Sequence, residues 1–228
     1  MTNENRIGRL AGALYLIVVL AGMFSLMYVP SRITVSGDAH ATMGNLVAHG
    51  SLFRAGIAAF LLKQVAFLLL PLVLFKLLRQ VNHDIAVLMV VLAVVSVPIA
   101  LVSLVNKLDA LDVLVGYFGQ TLAPAQIQSQ AMLSLDAYDN GILVTTLFWG
   151  LWLLPFGYLV MRSGFLPRVL GLFLVLGGLA YVAQVFWQIL VPDMEFPDAV
   201  LFTAAVGEIG ICLWLLLIGV RRRQPGAA

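Results

Sequence analysis

Residues 85–105 read IAVLMVVLAVVSVPIALVSLV. No side chain in this stretch is ionisable, and only Ser96 and Ser103 are polar. At about 1.5 Å per residue such a run is about 30 Å long as a helix, the thickness of a bilayer's hydrocarbon core. It is apolar on every face, which a helix half-exposed to water cannot be. Working outward, five more windows share this character: Leu10–Val29, Ala55–Phe75, Ile142–Met161, Val169–Leu190 and Ala199–Val220. In lipid the backbone must satisfy its own hydrogen bonds, and the windows show no barrel-like alternation, so each reads as a helix. The expected fold is all-α: a polytopic membrane protein with six transmembrane helices.

Composition agrees. Of 228 residues, 62% are hydrophobic and only 11% charged, with a mean hydropathy of +1.03. Average soluble domains are about 25% charged. The net charge is +2, and its distribution says more than its size. One face holds Arg6, Arg9, Lys76, Arg79, Arg162, Arg168, Arg221, Arg222 and Arg223 in the termini and in alternate loops. The other holds Arg32, Arg54 and Lys107 against Asp38, Asp109, Asp112, Asp136, Asp139, Asp193, Glu195 and Asp198. Positive charge marks the cytoplasmic side, so six crossings place both termini in the cytoplasm. Arg6 and Arg9 before an apolar run resemble a signal peptide. The run is too long for one, and Pro30-Ser31-Arg32 is no cleavage pattern, so it reads as a retained first helix.

The inner loops around 81–84 and 163–167 are short. The outer segments are longer. Residues 31–54 read as a loop. Residues 106–141 carry Leu108, Leu111, Val115 and Phe118 at helical spacing, and Pro124 suits a first helical position. A helical outer segment is therefore expected between spans three and four, either prolonging them or lying on the membrane surface. Residues 1–223 are expected to form one transmembrane domain and 224–228 a disordered tail. Pro71, Pro98 and Pro155 lie inside spans and shape them. Gly8 with Gly12, and the small residues Gly56, Ala59, Ala204 and Ala205, mark faces where helices can approach closely.

Two ionisable residues lie deep in the windows: Lys63 in span two and Glu208 in span six. Counted from the outer ends at about 1.5 Å per residue, both lie roughly 12–14 Å below the outer face. A lone charge there costs at least about 2.5–3.5 kcal/mol. An ion pair between them or a wet cavity would relieve that cost. The pair would be structural in one reading and a ligand or proton site in the other. Gln64, Thr145, Trp149, Tyr181, Gln184 and Gln188 gather in the outer halves of spans two, four and five, and Arg54, Asn106, Asp136 and Asp139 rim the outer surface. The inner halves are mostly Leu, Val and Phe. This one-sidedness suggests a polar pocket open outward. Interhelical hydrogen bonding by the same residues is the alternative that needs no ligand.

Other chemistry finds little support. His40, His49 and His83 are all in loops, and Cys212 is the sole cysteine, within an apolar window. No metal or cofactor site follows, and no Walker loop, GxSxG or GxGxxG is present in a usable context. Ser31, Ser36 and Ser51 read as turn residues. The sole basic run, Arg221–Arg223, follows an apolar span and indicates no nucleic-acid partner. Membrane lipids are the expected surroundings.

Several segments carry a resemblance. They are Arg9–Ile17 (RLAGALYLI), Phe53–Ile57 (FRAGI), Leu77–Asn82 (LLRQVN), Gly157–Gly171 (GYLVMRSGFLPRVLG) and the Gly207-Glu208 step. The chain resembles the family of domain of unknown function 4386, bacterial integral membrane proteins without assigned activity. That resemblance implies the membrane fold and an inner-membrane location and implies no reaction. The expected role is binding, sensing or transporting a small molecule, with a structural or partner-binding subunit as the alternative and a lipid-modifying enzyme third. Oligomeric state is not legible.

Overall fold

The computed structural model describes residues 3–115 and 123–220. They form seven helices, and no strand occurs among them. We label them α1 (Asn3–Ile33), α2 (Ala39–Ala48), α3 (Gly50–Leu78), α4 (His83–Val115), α5 (Pro124–Ser163), α6 (Arg168–Leu190) and α7 (Asp198–Leu213, continued by a π-turn over Trp214–Ile218). All but α2 are long and apolar enough to cross a membrane. Each of the six apolar windows falls within its helix, except that the last ends two residues early, at Ile218. There Gly219 turns to φ +77°.

Two helices contain a π-turn. In α1 it covers Phe24–Tyr28, two residues before Pro30. Proline removes an N–H and crowds the preceding turn. The wider π-turn absorbs that mismatch, with the Val29 N–H donating to the Phe24 carbonyl. The second, Trp214–Ile218, closes α7, where the Gly219 N–H donates to the Trp214 carbonyl at 2.9 Å. The helices continue through Pro71, Pro98 and Pro155.

Residues 106–115 prolong α4, and residues 124–141 belong to α5. At about 1.5 Å per residue, the 40-residue α5 is about 60 Å long and the 33-residue α4 about 50 Å. Both exceed the ~30 Å hydrocarbon core. Pro124 takes the first position of α5. Phe118, the turn at Thr121-Leu122, Arg221–Arg223 and the tail 224–228 lie outside the described residues.

Residues 31–54, read from sequence as a loop, contain α2. Its start is capped by Asp38, whose carboxylate accepts the Ala41 N–H at 2.8 Å. Only Thr42 and Leu46 of this ten-residue helix are buried, too short a pattern to separate from loop by periodicity.

The chain divides into two compact units. One comprises Met1–Leu16, Ala66–Val97 and Val144–Ala228; the other comprises Ile17–Val65 and Pro98–Leu143. In the first unit, helix backbones touch where side chains are absent. Gly12 lies against the backbone of Leu215 and Leu216, Gly157 against Gly171, and Gly177 against Ala204. Asn5 ties the start of α1 to the end of α7 by accepting the Val220 N–H at 2.8 Å.

The turn between α5 and α6 explains the most distinctive sequence segment. The Ser163 hydroxyl accepts the Leu166 and Phe165 N–H groups at 3.1 and 3.3 Å. Gly164 adopts φ +72°, a conformation glycine reaches without a Cβ clash. Phe165 and Leu166 are buried, and Pro167 caps α6. Ser-Gly-Phe-Leu-Pro is thus a helix stop and restart.

The second unit packs around Val29, Ile33, Leu46, Phe53, Phe60, Leu104 and Tyr138. Gly141 meets Ser103 closely, which brings the middle of α4 against the middle of α5 and sets the geometry of the site below.

Candidate functional site

In the second unit α1, α2, α3, α4 and α5 surround a pocket of about 530 Å³, within the usual range of small-molecule sites. Its apolar wall includes Val29, Ile33, Phe53 and Leu135. Its polar groups are Lys107 from α4, and Asp136, Tyr138 and Asp139 from α5. Val29 and Pro30 follow the π-turn directly, so that irregularity shapes the pocket edge.

Lys107 is placed by the packing stripe of α4. Ala93, Val97, Ala100, Leu104 and Lys107 recur at helical spacing, and all are buried. On α5, Ala131 and Tyr138 are buried in the same rhythm. Lys107 is only 8% exposed, and its Nζ lies 3.9 Å from the centroid of the Tyr138 ring and 5.8 Å from that of Phe53. Among the described residues this ammonium has no hydrogen-bond acceptor and no carboxylate within 4.0 Å. The Tyr138 hydroxyl, on a residue 3% exposed, also has no hydrogen-bond partner there. A desolvated cation–π contact contributes about 2 kcal/mol. Taking an ammonium out of water costs several kcal/mol. The ring contact and the nearby Asp139 carboxylate together offset part of that cost.

Asp136 and Asp139 are exposed, one turn apart, at the pocket edge. Asp38 also lines it, with its carboxylate engaged in the α2 cap. Asn106 is half-buried, and its side chain donates to the Ser103 carbonyl at 3.2 Å. Arg54 is exposed and does not line the pocket.

The intramembrane residues singled out from sequence fall in different places. Lys63 and Gln64 belong to the second unit. Lys63 is buried, with Nζ 5.3 Å from the Phe60 ring centroid and its stem near Gly22. Gln64 is 1% exposed, and neither end of its amide has a hydrogen-bond partner among the described residues. Glu208 belongs to the first unit. The Tyr15 hydroxyl donates to its Oε2 at 3.0 Å and the Tyr181 hydroxyl to its Oε1 at 3.1 Å. Tyr15 is buried against Trp152 and Phe156. Thr145 is buried and Trp149 half-buried in the same unit.

Gln184 and Gln188 share the face of α6 that carries Tyr181. They line a separate open cleft of about 660 Å³ with Asp193, Glu195 and Phe196. Trp187 pins that loop by donating to the Met194 carbonyl at 2.9 Å.

Tyr15 and Lys107 were not singled out as site residues from sequence. Tyr15 carries no charge to flag it. Lys107 reads from sequence as a charge between two spans, although its spacing from Ala100 and Leu104 places it on the buried stripe.

Residues 10–219 match the family described as Domain of unknown function (DUF4386). The chain belongs to the DUF4386 family. No curated protein and no solved structure matches it. The segments of this DUF4386 chain that first suggested the family do local structural work: Ser163 to Pro167 turn a helix, Gly12 admits a neighbouring backbone, and Tyr15 holds Glu208.

Proposed function

We propose that this DUF4386 protein crosses the bacterial inner membrane six times with both termini in the cytoplasm, and that it binds a small anionic molecule from the opposite side. Loop charge supports the orientation, since nine Arg and Lys residues flank the termini and the two short turns. Helix length supports the placement of the pocket. Lys107 is 24 residues beyond His83, about 36 Å along α4. The pocket then sits where a ~30 Å hydrocarbon core gives way to water.

The Lys107 ammonium, on a largely buried side chain lining the pocket and with no acceptor among the described residues, carries the binding reading. An anion seated there supplies the missing hydrogen bonds, and the apolar wall accepts its carbon skeleton. Glu208 has a structural role in this reading. Both its oxygens already receive tyrosine hydroxyls, which joins α1, α6 and α7.

Two measurements test the proposal. A cysteine at position 109, in a Cys212→Ala background, is labelled by an impermeant maleimide on intact cells; labelling only after lysis reverses the orientation. Hexanoate raises the thermal midpoint of the purified wild type and leaves Lys107→Met unchanged. Equal response of both proteins removes the site.

A further inference from the structure

We infer that the pocket's ligand is a small zwitterion, with its anionic group at Lys107 and its cationic group at Asp136 and Asp139. This inference rests on the anion-binding reading above and adds the second charge. The observations are of two kinds. Lys107 is a buried donor on the pocket wall, with no acceptor among the described residues. Asp136 and Asp139 line the same pocket from α5, exposed, with no hydrogen-bond donor to either carboxylate among the described residues. Asp38 differs from them, because the Ala41 N–H already occupies its carboxylate.

The pocket is thus electrically asymmetric: one positive group on a buried side chain meets the surface-exposed carboxylates of Asp136 and Asp139, with Asp139 near enough to act on Lys107 through space and Asp38 held in its helix cap. Tyr138 lies between Asp136 and Asp139 in the chain and presents its ring to Lys107. Phe53, Ile33 and Leu135 supply apolar wall. A simple anion satisfies Lys107 and meets repulsion from the two aspartates. A simple cation suits the aspartates and is repelled by the lysine. A molecule with an ammonium and an anion joined by a short carbon chain satisfies all three charges at once. Selectivity against both single-charge analogues follows from like-charge repulsion as well as attraction.

The same chemistry exists on a free amino acid and on an ethanolamine phosphate headgroup, so the test separates them. Purified protein in detergent is titrated with the matched set 6-aminohexanoate, hexanoate and hexylamine, and thermal unfolding is followed. The zwitterion is expected to protect best, at about tenfold lower concentration than hexanoate, the scale of one charged hydrogen bond. Hexylamine gives no protection. Asp136→Asn with Asp139→Asn removes the advantage of the zwitterion and strengthens protection by hexanoate, because the repulsion of its carboxylate is gone. Both aspartates are exposed, so this variant keeps the packing, and unchanged circular dichroism checks it. Lys107→Met abolishes protection by every member.

In a parallel arm the protein is placed in nanodiscs of phosphatidylglycerol with and without phosphatidylethanolamine. Stabilisation that follows phosphatidylethanolamine, and is lost in the aspartate variant, assigns the zwitterion to a lipid headgroup. Equal protection by hexanoate and 6-aminohexanoate, unaffected by the aspartate changes, overturns the zwitterion and leaves the anion site standing. No protection by any probe in either arm, with Lys107→Met behaving like the wild type, overturns both.

Discussion

The Lys107 ammonium stands 3.9 Å from the centroid of the Tyr138 ring, joining α4 to α5 at the wall of the pocket. The contact uses the ring and leaves the hydroxyl without a hydrogen-bond partner among the described residues. Ring and hydroxyl should therefore separate on mutation. Tyr138→Phe is expected to raise unfolding free energy by about 1 kcal/mol, because it removes a buried hydroxyl with no hydrogen-bond partner among the described residues. A double-mutant cycle of Lys107→Met with Tyr138→Leu should return a coupling of about 1–2 kcal/mol. Unfolding in mixed detergent micelles measures both. A costly Tyr138→Phe would mean that the hydroxyl is bonded in the working protein.

Glu208 receives two tyrosine hydroxyls, one from α1 and one from α6. Interhelical hydrogen bonds in membranes average about 0.6 kcal/mol, and bonds to charged groups are stronger. Tyr15→Phe and Tyr181→Phe are each expected to cost about 1 kcal/mol. Their effects should not add, because they share one carboxylate. Neutral behaviour of both variants would remove the structural role assigned to Glu208.

Two glycines should respond in opposite directions to the same change. A Cβ on Gly177 would run into the Ala204 Cα, so Gly177→Ala is expected to destabilise by about 1–3 kcal/mol as α6 and α7 are forced apart. A Cβ on Gly44 meets nothing within 4 Å, so Gly44→Ala in α2 should stabilise by about 0.5–1 kcal/mol through helix propensity. The same unfolding assay reads the sign of each.

Gln64 carries a buried amide with neither end bonded among the described residues. An unsatisfied buried polar group costs about 1–3 kcal/mol. Gln64→Leu should therefore raise stability by about 1 kcal/mol after allowance for imperfect packing of the new side chain. A clear loss of stability would assign the amide a partner, and with it a functional reason to be there.

How much of this was legible without coordinates depends on the range of the physics involved. Residues 85–105 and the five other windows determined six helices by themselves, because lipid leaves an isolated backbone no alternative. Pro124 likewise marked the start of α5, and Ser163-Gly164 its successor's boundary, since caps and turns are local. Helix α2 was missed because a two-residue buried face is too weak a period.

The charges of Lys63 and Glu208 announced themselves by cost. The partners Tyr15 and Tyr181 did not, because 193 and 27 residues separate them from Glu208. Lys107 was visible as a charge and not as a buried one. Its burial is decided by Ser103 meeting Gly141 and by Tyr138 lying beneath the ammonium. Hydropathy is a property of each segment and can be read along the chain. The environment of one ammonium is set by which helix faces meet, and only the tertiary structure decides that.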